Sequence, residues 1–204
     1  MPKMSQTEQP YRQRLEVRMI DIAERLIERK GLAAVQARRL TQEAHCSVGT
    51  LYNVFGGLDA VIIAVNIRTL MKLGIELEAV VRSTQEASPD QRLLALARAY
   101  HKFAHDHSSR WLALFEHRMA EGAEVPDDYR NQQRKLFTIV EAVIAPFVAD
   151  DAARASAAQA LFSAVHGIVK LSLEGRLAPY DPAETERQIR FIVSNAAQGL
   201  QSGG

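Results

Sequence analysis

The amino-acid sequence predicts an all-α protein of about nine helices with no sheet. Three observations carry that expectation. Apolar residues recur at helical spacing, as in Leu93, Leu96, Ala97, Tyr100, Phe103, Ala104 and His107, and again in Ile189, Ile192, Val193, Ala196, Ala197 and Leu200. Prolines are absent between Tyr11 and Ser88, and later ones mostly stand where helices begin. No run of alternating β-branched residues reads as a strand. Apolar residues make up 47% of the 204, enough to build a core.

The elements follow in order. An amphipathic helix over 11–30 ends in Arg29-Lys30-Gly31, with basic residues in the last turn and Gly31 as its stop. Two short helices, 37–44 and 48–54, are separated by His45-Cys46-Ser47, with Ser47 as N-cap of the second. A longer helix covers 58–83. Ser88-Pro89-Asp90-Gln91 reads as an N-cap, a first-turn proline and a capping-box glutamine for a helix over 89–107. The next helices are placed at 109–122 and 126–149. Asp127 and Asp128 favour the second start, and Pro146 should kink or shorten that helix. The last two cover 151–176 and 182–200, the final one begun by Asp181-Pro182-Ala183-Glu184. Residues 1–10 and 202–204 read as flexible tails.

The formal net charge is only +1, so a nucleic-acid site has to be a local patch. The single cysteine, Cys46, excludes an intramolecular disulfide framework and a cysteine-only zinc site. The first ten residues lack the apolar stretch of a signal peptide. Arg154, Gln159, His166 and Lys170 interrupt the apolar segment 152–173, which argues against a membrane span. A cytoplasmic protein is expected, with no cofactor.

The informative segment is 20–65. Two short helices joined by a tight turn bury little alone and must pack on a longer one. This is the helix-turn-helix arrangement, whose second helix enters the DNA major groove. Thr50 and Tyr52 offer hydroxyls to phosphates or base edges, and Asn53 suits a paired hydrogen bond to adenine. Gly49 lets backbone approach DNA closely, and Ser47 and Val48 open the same helix. Leu51, Val54 and Phe55 should hold it to the core. Arg38 and Arg39 are candidate phosphate contacts; the alternative is a solvated helix face. Cys46 reads as a small hydrophobe packed in the turn. His45 is suited to a left-handed backbone.

The run Ser47-Val48-Gly49-Thr50-Leu51-Tyr52-Asn53-Val54-Phe55 resembles the TetR (tetracycline-repressor) family of transcriptional regulators. Ile20-Asp21-Ile22-Ala23, Gly31, Leu40, Ala44 and Leu58-Asp59-Ala60-Val61 agree with it. The resemblance implies a helix-turn-helix domain over 11–57 and a ligand-binding and dimerisation domain over 58–200. It also implies a homodimer formed through the last two helices, operator DNA as partner, a small-molecule inducer, and repression. The chain departs from the family at His45, where glycine is usual, at Val48, where lysine is common, and at Gly56-Gly57-Leu58-Asp59, where Pro-Ser-Lys-Glu is common. Two phosphate-binding lysines are thereby missing, and Arg12, Arg14, Arg18, Arg38 and Arg39 are the candidates to compensate. Residues 11–60 carry eight basic and six acidic side chains, a net +2.

Beyond residue 58, candidate ligand-lining residues are Tyr100, Phe103, Trp111, Phe115, Met119, Phe162 and His166, with ordinary core packing as the alternative for each. Ala160–Gly167, with Phe162 in place of tryptophan, and Glu174-Gly175-Arg176-Leu177 resemble the ligand-domain subgroup named for Trp-His-Gly. Ala157, Ala160, Ala164 and Gly167 would allow close helix approach at a dimer interface. His101 and His105 share a helix face, with His107 nearby. A metal-dependent helical enzyme using these three histidines is therefore the alternative from another class, weakened by the lack of a nucleophile or acid–base pair. A DNA-binding protein without an inducer is a further alternative.

Overall fold

The computed structural model describes residues 8–119, 122, 124–176 and 178–202. Among them are nine α-helices and no strand, as expected. They are α1 (Glu8–Lys30), α2 (Ala37–Glu43), α3 (Val48–Phe55), α4 (Leu58–Ser83), α5 (Pro89–Asp106), α6 (Ser108–Glu116), α7 (Asp127–Ile144), α8 (Asp151–Leu173) and α9 (Pro182–Ser202), with a short 3₁₀ turn at Leu32–Ala34. Residues 8–10 and 202, expected in flexible tails, are helical; 1–7 and 203–204 lie outside the described residues.

Local chemistry explains most boundaries. Gly31 stops α1 at φ +75°, and its N–H donates to the Ile27 carbonyl at 2.8 Å. The Ser88 N–H donates to the Gln91 side chain at 3.2 Å, completing the reciprocal half of a capping box. Asp181 caps α9 through the Ala183 N–H, whereas Glu184 turns instead to Arg187 and Gln188. Two helices end well before their expected stops. α7 stops at Ile144, because Pro146 lacks a donor and disfavours helix in the residue before it. α6 stops at Glu116, not 122. His117 is extended, and its buried ring lies 3.6 Å from Asp59. Ala120 and Glu121 lie outside the described residues.

The chain forms two compact units: Met1–Thr69 with His107–Tyr129, and Leu70–Asp106 with Arg130–Gly204. In the first, α1 supplies Met19, Ile22, Ala23, Leu26 and Ile27 to an apolar core. Leu40 of α2, Leu51 of α3, Val61 and Val65 of α4 and Ala113 of α6 complete it. In the second, α5, α8 and α9 pack together. Leu93, Leu96, Ala97, Tyr100, Phe103 and Ala104 are buried on the expected face of α5. On α9 only Ile189, Val193 and Ala197 of the expected stripe are buried, while Phe191, outside it, is 69% exposed.

An ion cluster ties α6 into the first unit. The Arg110 side chain is only 7% exposed and reaches Glu24 at 2.5 Å and Glu28 at 3.3 Å. It also donates to the Thr69 hydroxyl at 3.2 Å. Arg68 pairs with Asp21 at 2.6 Å and with Glu24 at 3.0 Å. Removing one partner of a buried ion pair strands the other's charge. Arg68 still compensates Glu24, so Arg110→Ala is expected to cost about 3 kcal/mol, the low end for such a deletion. Urea unfolding of the two proteins measures this; a loss below about 1 kcal/mol, the range of exposed pairs, would show the cluster to be solvated.

Candidate functional site

The turn between α2 and α3 has the geometry a helix-turn-helix needs. His45 takes the left-handed backbone, φ +52°, and is the only non-glycine among the described residues to do so. The Cys46 N–H donates to the Thr41 carbonyl at 3.0 Å, closing the turn. Cys46 is partly buried there. Burial pushes its thiol up, against the pull of the nearby Arg18 guanidinium. Ser47 caps α3: its hydroxyl accepts from the Thr50 N–H at 3.1 Å and shares a hydrogen bond with the Thr50 hydroxyl at 2.8 Å. At the other end Gly56 is left-handed, φ +81°, and donates to the Tyr52 carbonyl at 2.8 Å.

This short helix has two faces. Leu51 is fully buried, with Val54 and Phe55 packed beside it. Ser47, Val48, Gly49, Tyr52 and Asn53 are exposed, Tyr52 at 54% and Val48 at 37%; Thr50 is half-buried. The residues expected to meet DNA thus share the solvent side of α3. A Cβ on Gly49 would meet only Ser47 Oγ, at an unstrained 3.7 Å. Nothing inside the protein requires glycine there.

The basic residues divide. Arg38 is exposed and has no ion pair among the described residues. Arg39 lies 3.3 Å from Glu43, an exposed pair worth about 0.3–0.5 kcal/mol and easily exchanged for a phosphate. Arg12, grouped by sequence with Arg14 and Arg18, donates instead to the Val54 carbonyl of α3.

In the second unit, Tyr100, Phe162 and His166 come together. The Tyr100 hydroxyl is 2.8 Å from His166 Nδ1, Phe162 stacks on the His166 ring, and Tyr100 meets Phe162 edge-on. Phe137, which periodicity did not single out, also meets Phe162 edge-on. Phe103 is buried on α5. In the first unit, Trp111 is fully buried and meets Phe115 edge-on; Phe115 is exposed and Met119 half-buried.

The histidines do not form the metal cluster of the alternative reading. His101 Nε2 lies 3.1 Å from the Tyr180 hydroxyl, and the His105 ring stacks on Tyr180. His107 lies beyond the end of α5, at the N-cap of α6. Among the described residues no three His, Cys, Asp or Glu side chains are placed to hold a metal. Nor is any single helix there long and apolar enough to cross a membrane.

Burial holds both His166 and His101 below the ordinary histidine range, with Lys170 and His105 adding to it respectively. Below the unfolded value near 6.5 the unfolded chain binds protons that the folded chain refuses. Stability is therefore fully present at neutral pH and is lost as pH falls from about 6.5 toward the folded values. Urea midpoints measured from about pH 7 to 5 should show this decline, and His166→Gln should make it shallower. An unchanged slope in that variant would place His166 in free exchange with solvent.

With the geometry in hand, comparison with known proteins is specific. The family model described as "Bacterial regulatory proteins, tetR family" matches residues 19–65, and "Tetracyclin repressor-like, C-terminal domain" matches residues 93–195. Neither description singles out the Trp-His-Gly subgroup, whose expected Leu177 lies outside the described residues. The HTH-type transcriptional regulator BetI of Brucella anthropi is 30% identical over 120 residues, 57% of this chain and 58% of that protein. The uncharacterized HTH-type transcriptional regulator Rv0681 of Mycobacterium tuberculosis is 27% identical over 175 residues, 86% of this chain and 76% of that protein. A Rhodococcus sp. RHA1 protein of unknown function shares the fold at a TM-score of 0.72 and 22% identity, covering 92% of this chain and 95% of its own. The regulator FadR from Bacillus subtilis, solved in complex with stearoyl-CoA, does so at 0.62 and 14% identity, covering 92% and 98%. A helix-turn-helix whose second helix has an exposed outer face, matched at both ends by the same family, makes this chain a TetR-family transcriptional regulator and not an enzyme.

Proposed function

We propose that the protein is a cytoplasmic, ligand-responsive repressor that binds a palindromic operator as a homodimer. Residues 11–57 read DNA, and residues 58–200 bind ligand and dimerise. The observation that carries the DNA reading is the division of α3 into a buried face and an exposed one bearing Ser47, Val48, Gly49, Tyr52 and Asn53. Asn53 suits adenine, and the exposed Val48 side chain suits a thymine methyl. Arg38 supplies a phosphate contact and Arg39 joins it by leaving Glu43.

Dimerisation is supported by what α8 and α9 leave open. Ala160, Ala164, Gly167 and Leu171 form one row on α8. Ala160 and Leu171 are exposed, and the space beside Gly167 is empty. Phe191 stands exposed on α9. A two-fold pairing of these helices presents two copies of α3 about 34–36 Å apart, one turn of DNA. The Tyr100–His166 pair, walled by Phe162 and Phe137, offers a small ligand one polar handle among aromatic faces. The stearoyl-CoA found in FadR is an example of a bound small molecule on this fold. Ligand lowers operator affinity by its preference for the conformation that DNA does not select.

Selection of duplexes from a random pool at stated salt tests the reading; one enriched palindrome is expected, and none from folded dimer would reject it. Thr50→Ala with Tyr52→Ala should abolish specific binding while leaving the fold intact. Gly49→Ala separates stability from function. It should raise stability by about 0.5–1 kcal/mol, as alanine does in a helix, yet weaken operator binding by keeping backbone from DNA. Unaltered binding by Gly49→Ala would exclude close approach there.

A further inference from the structure

We infer that Arg12 is a positioning residue for DNA reading: it clamps the C-terminal turn of α3 and does not serve as a phosphate contact. This rests on α3 being the recognition helix. Arg12 Nη2 donates to the Val54 carbonyl at 2.9 Å, and its Nε donates to Glu16 Oε1 at 3.2 Å. The two bonds use adjacent N–H groups on one edge of the planar guanidinium, so it links its own helix to the end of another.

The Val54 carbonyl is one of the last four of α3, which have no donor within the helix. Gly56 serves the Tyr52 carbonyl; Arg12 serves that of Val54. A cation at this end also opposes the negative pole of the helix dipole. The restraint matters because the chain just beyond α3 is pliant. Gly56 and Gly57 lead into α4, Gly56 is left-handed, and neither has any neighbour where a Cβ would lie. Glycine pairs resist bending least. Leu51 anchors the middle of α3 in the core and Val54 and Phe55 pack beside it, but the carbonyls of the last turn still need donors. Tyr52 and Asn53 lie in that turn. Holding Val54, 42 residues away in sequence from the arginine that does it, therefore fixes where their side chains point.

Arg12 is 41% exposed, so its charge alone would also suit a phosphate, and the two roles give opposite results. Binding of the selected operator and of an unrelated duplex of equal length is measured across sodium chloride concentrations. Arg12→Ala is expected to weaken operator binding about tenfold, roughly the cost of losing one good base contact. Its effect on the unrelated duplex should be under about twofold, with an unchanged slope of log affinity against log salt. Glu16→Gln, which frees the fork while removing a negative charge, should also weaken operator binding. A phosphate role predicts the reverse: equal weakening on both duplexes, a slope shallower by about 0.9 per subunit, and tighter binding by Glu16→Gln. Any of these overturns the inference.

Hydrogen exchange of the free protein decides the clamp without DNA. In Arg12→Ala the amides of Val54, Phe55 and Gly56 should exchange several times faster, with those of Ile62 and Val65 in α4 unchanged. No change at α3, or acceleration throughout the unit, overturns the clamp. A chain that selects no duplex at all sinks the recognition-helix reading instead and leaves the exchange result standing.

Discussion

An eight-residue helix is too short to persist in water by itself, since the cost of its first turn is not recovered over so few bonds. α3 therefore exists because Leu51 is buried against the core built on α1, and everything else in the first unit serves that burial. Ser47 supplies a starting bond, Gly56 and Arg12 supply stopping bonds, and His45 takes the backbone angle that swings α3 across α2. The solvent face of α3 is what remains once the core-facing side chains are committed.

Charge follows the same logic. The net +2 over residues 11–60 counts Asp21, Glu24 and Glu28 at full weight. In the folded unit those acids face Arg68 and Arg110, which lie outside that segment. Their carboxylates are matched locally, while Arg14, Arg18, Arg25, Arg29, Lys30 and Arg38 stay exposed. The field that a DNA duplex meets is more positive than the sum along the sequence, because the negative part is neutralised internally.

What the sequence made legible was local. The nine helices, the Ser47 cap, the left-handed His45, the Ser88 capping box and the outward set on α3 each depend on residues within a few positions of one another, where periodicity and capping rules operate. Arg110 with Glu24, Tyr180 with His101 and His105, and Arg12 with Val54 were not legible, because each pair is dozens of residues apart and nothing local in the sequence joins its members. The three histidines look like a ligand set in sequence because spacing alone cannot show that an aromatic ring from the α8–α9 connection already occupies two of them. On α9 the helical stripe was correct in period, but only Ile189, Val193 and Ala197 of it are buried, and Phe191, off the stripe, is exposed.

The first unit is discontinuous: the chain leaves it at Thr69 and comes back at His107. During synthesis α1 to α3 emerge early, but the side chain that completes their ion cluster emerges some forty residues after Thr69. Until then Glu24 is paired with Arg68 alone, Glu28 lacks the arginine it pairs with, and Ala113 has yet to cover the core. The helix-turn-helix part is thus made before the segment that finishes it, with the closure entropy of the intervening stretch to overcome before it sets.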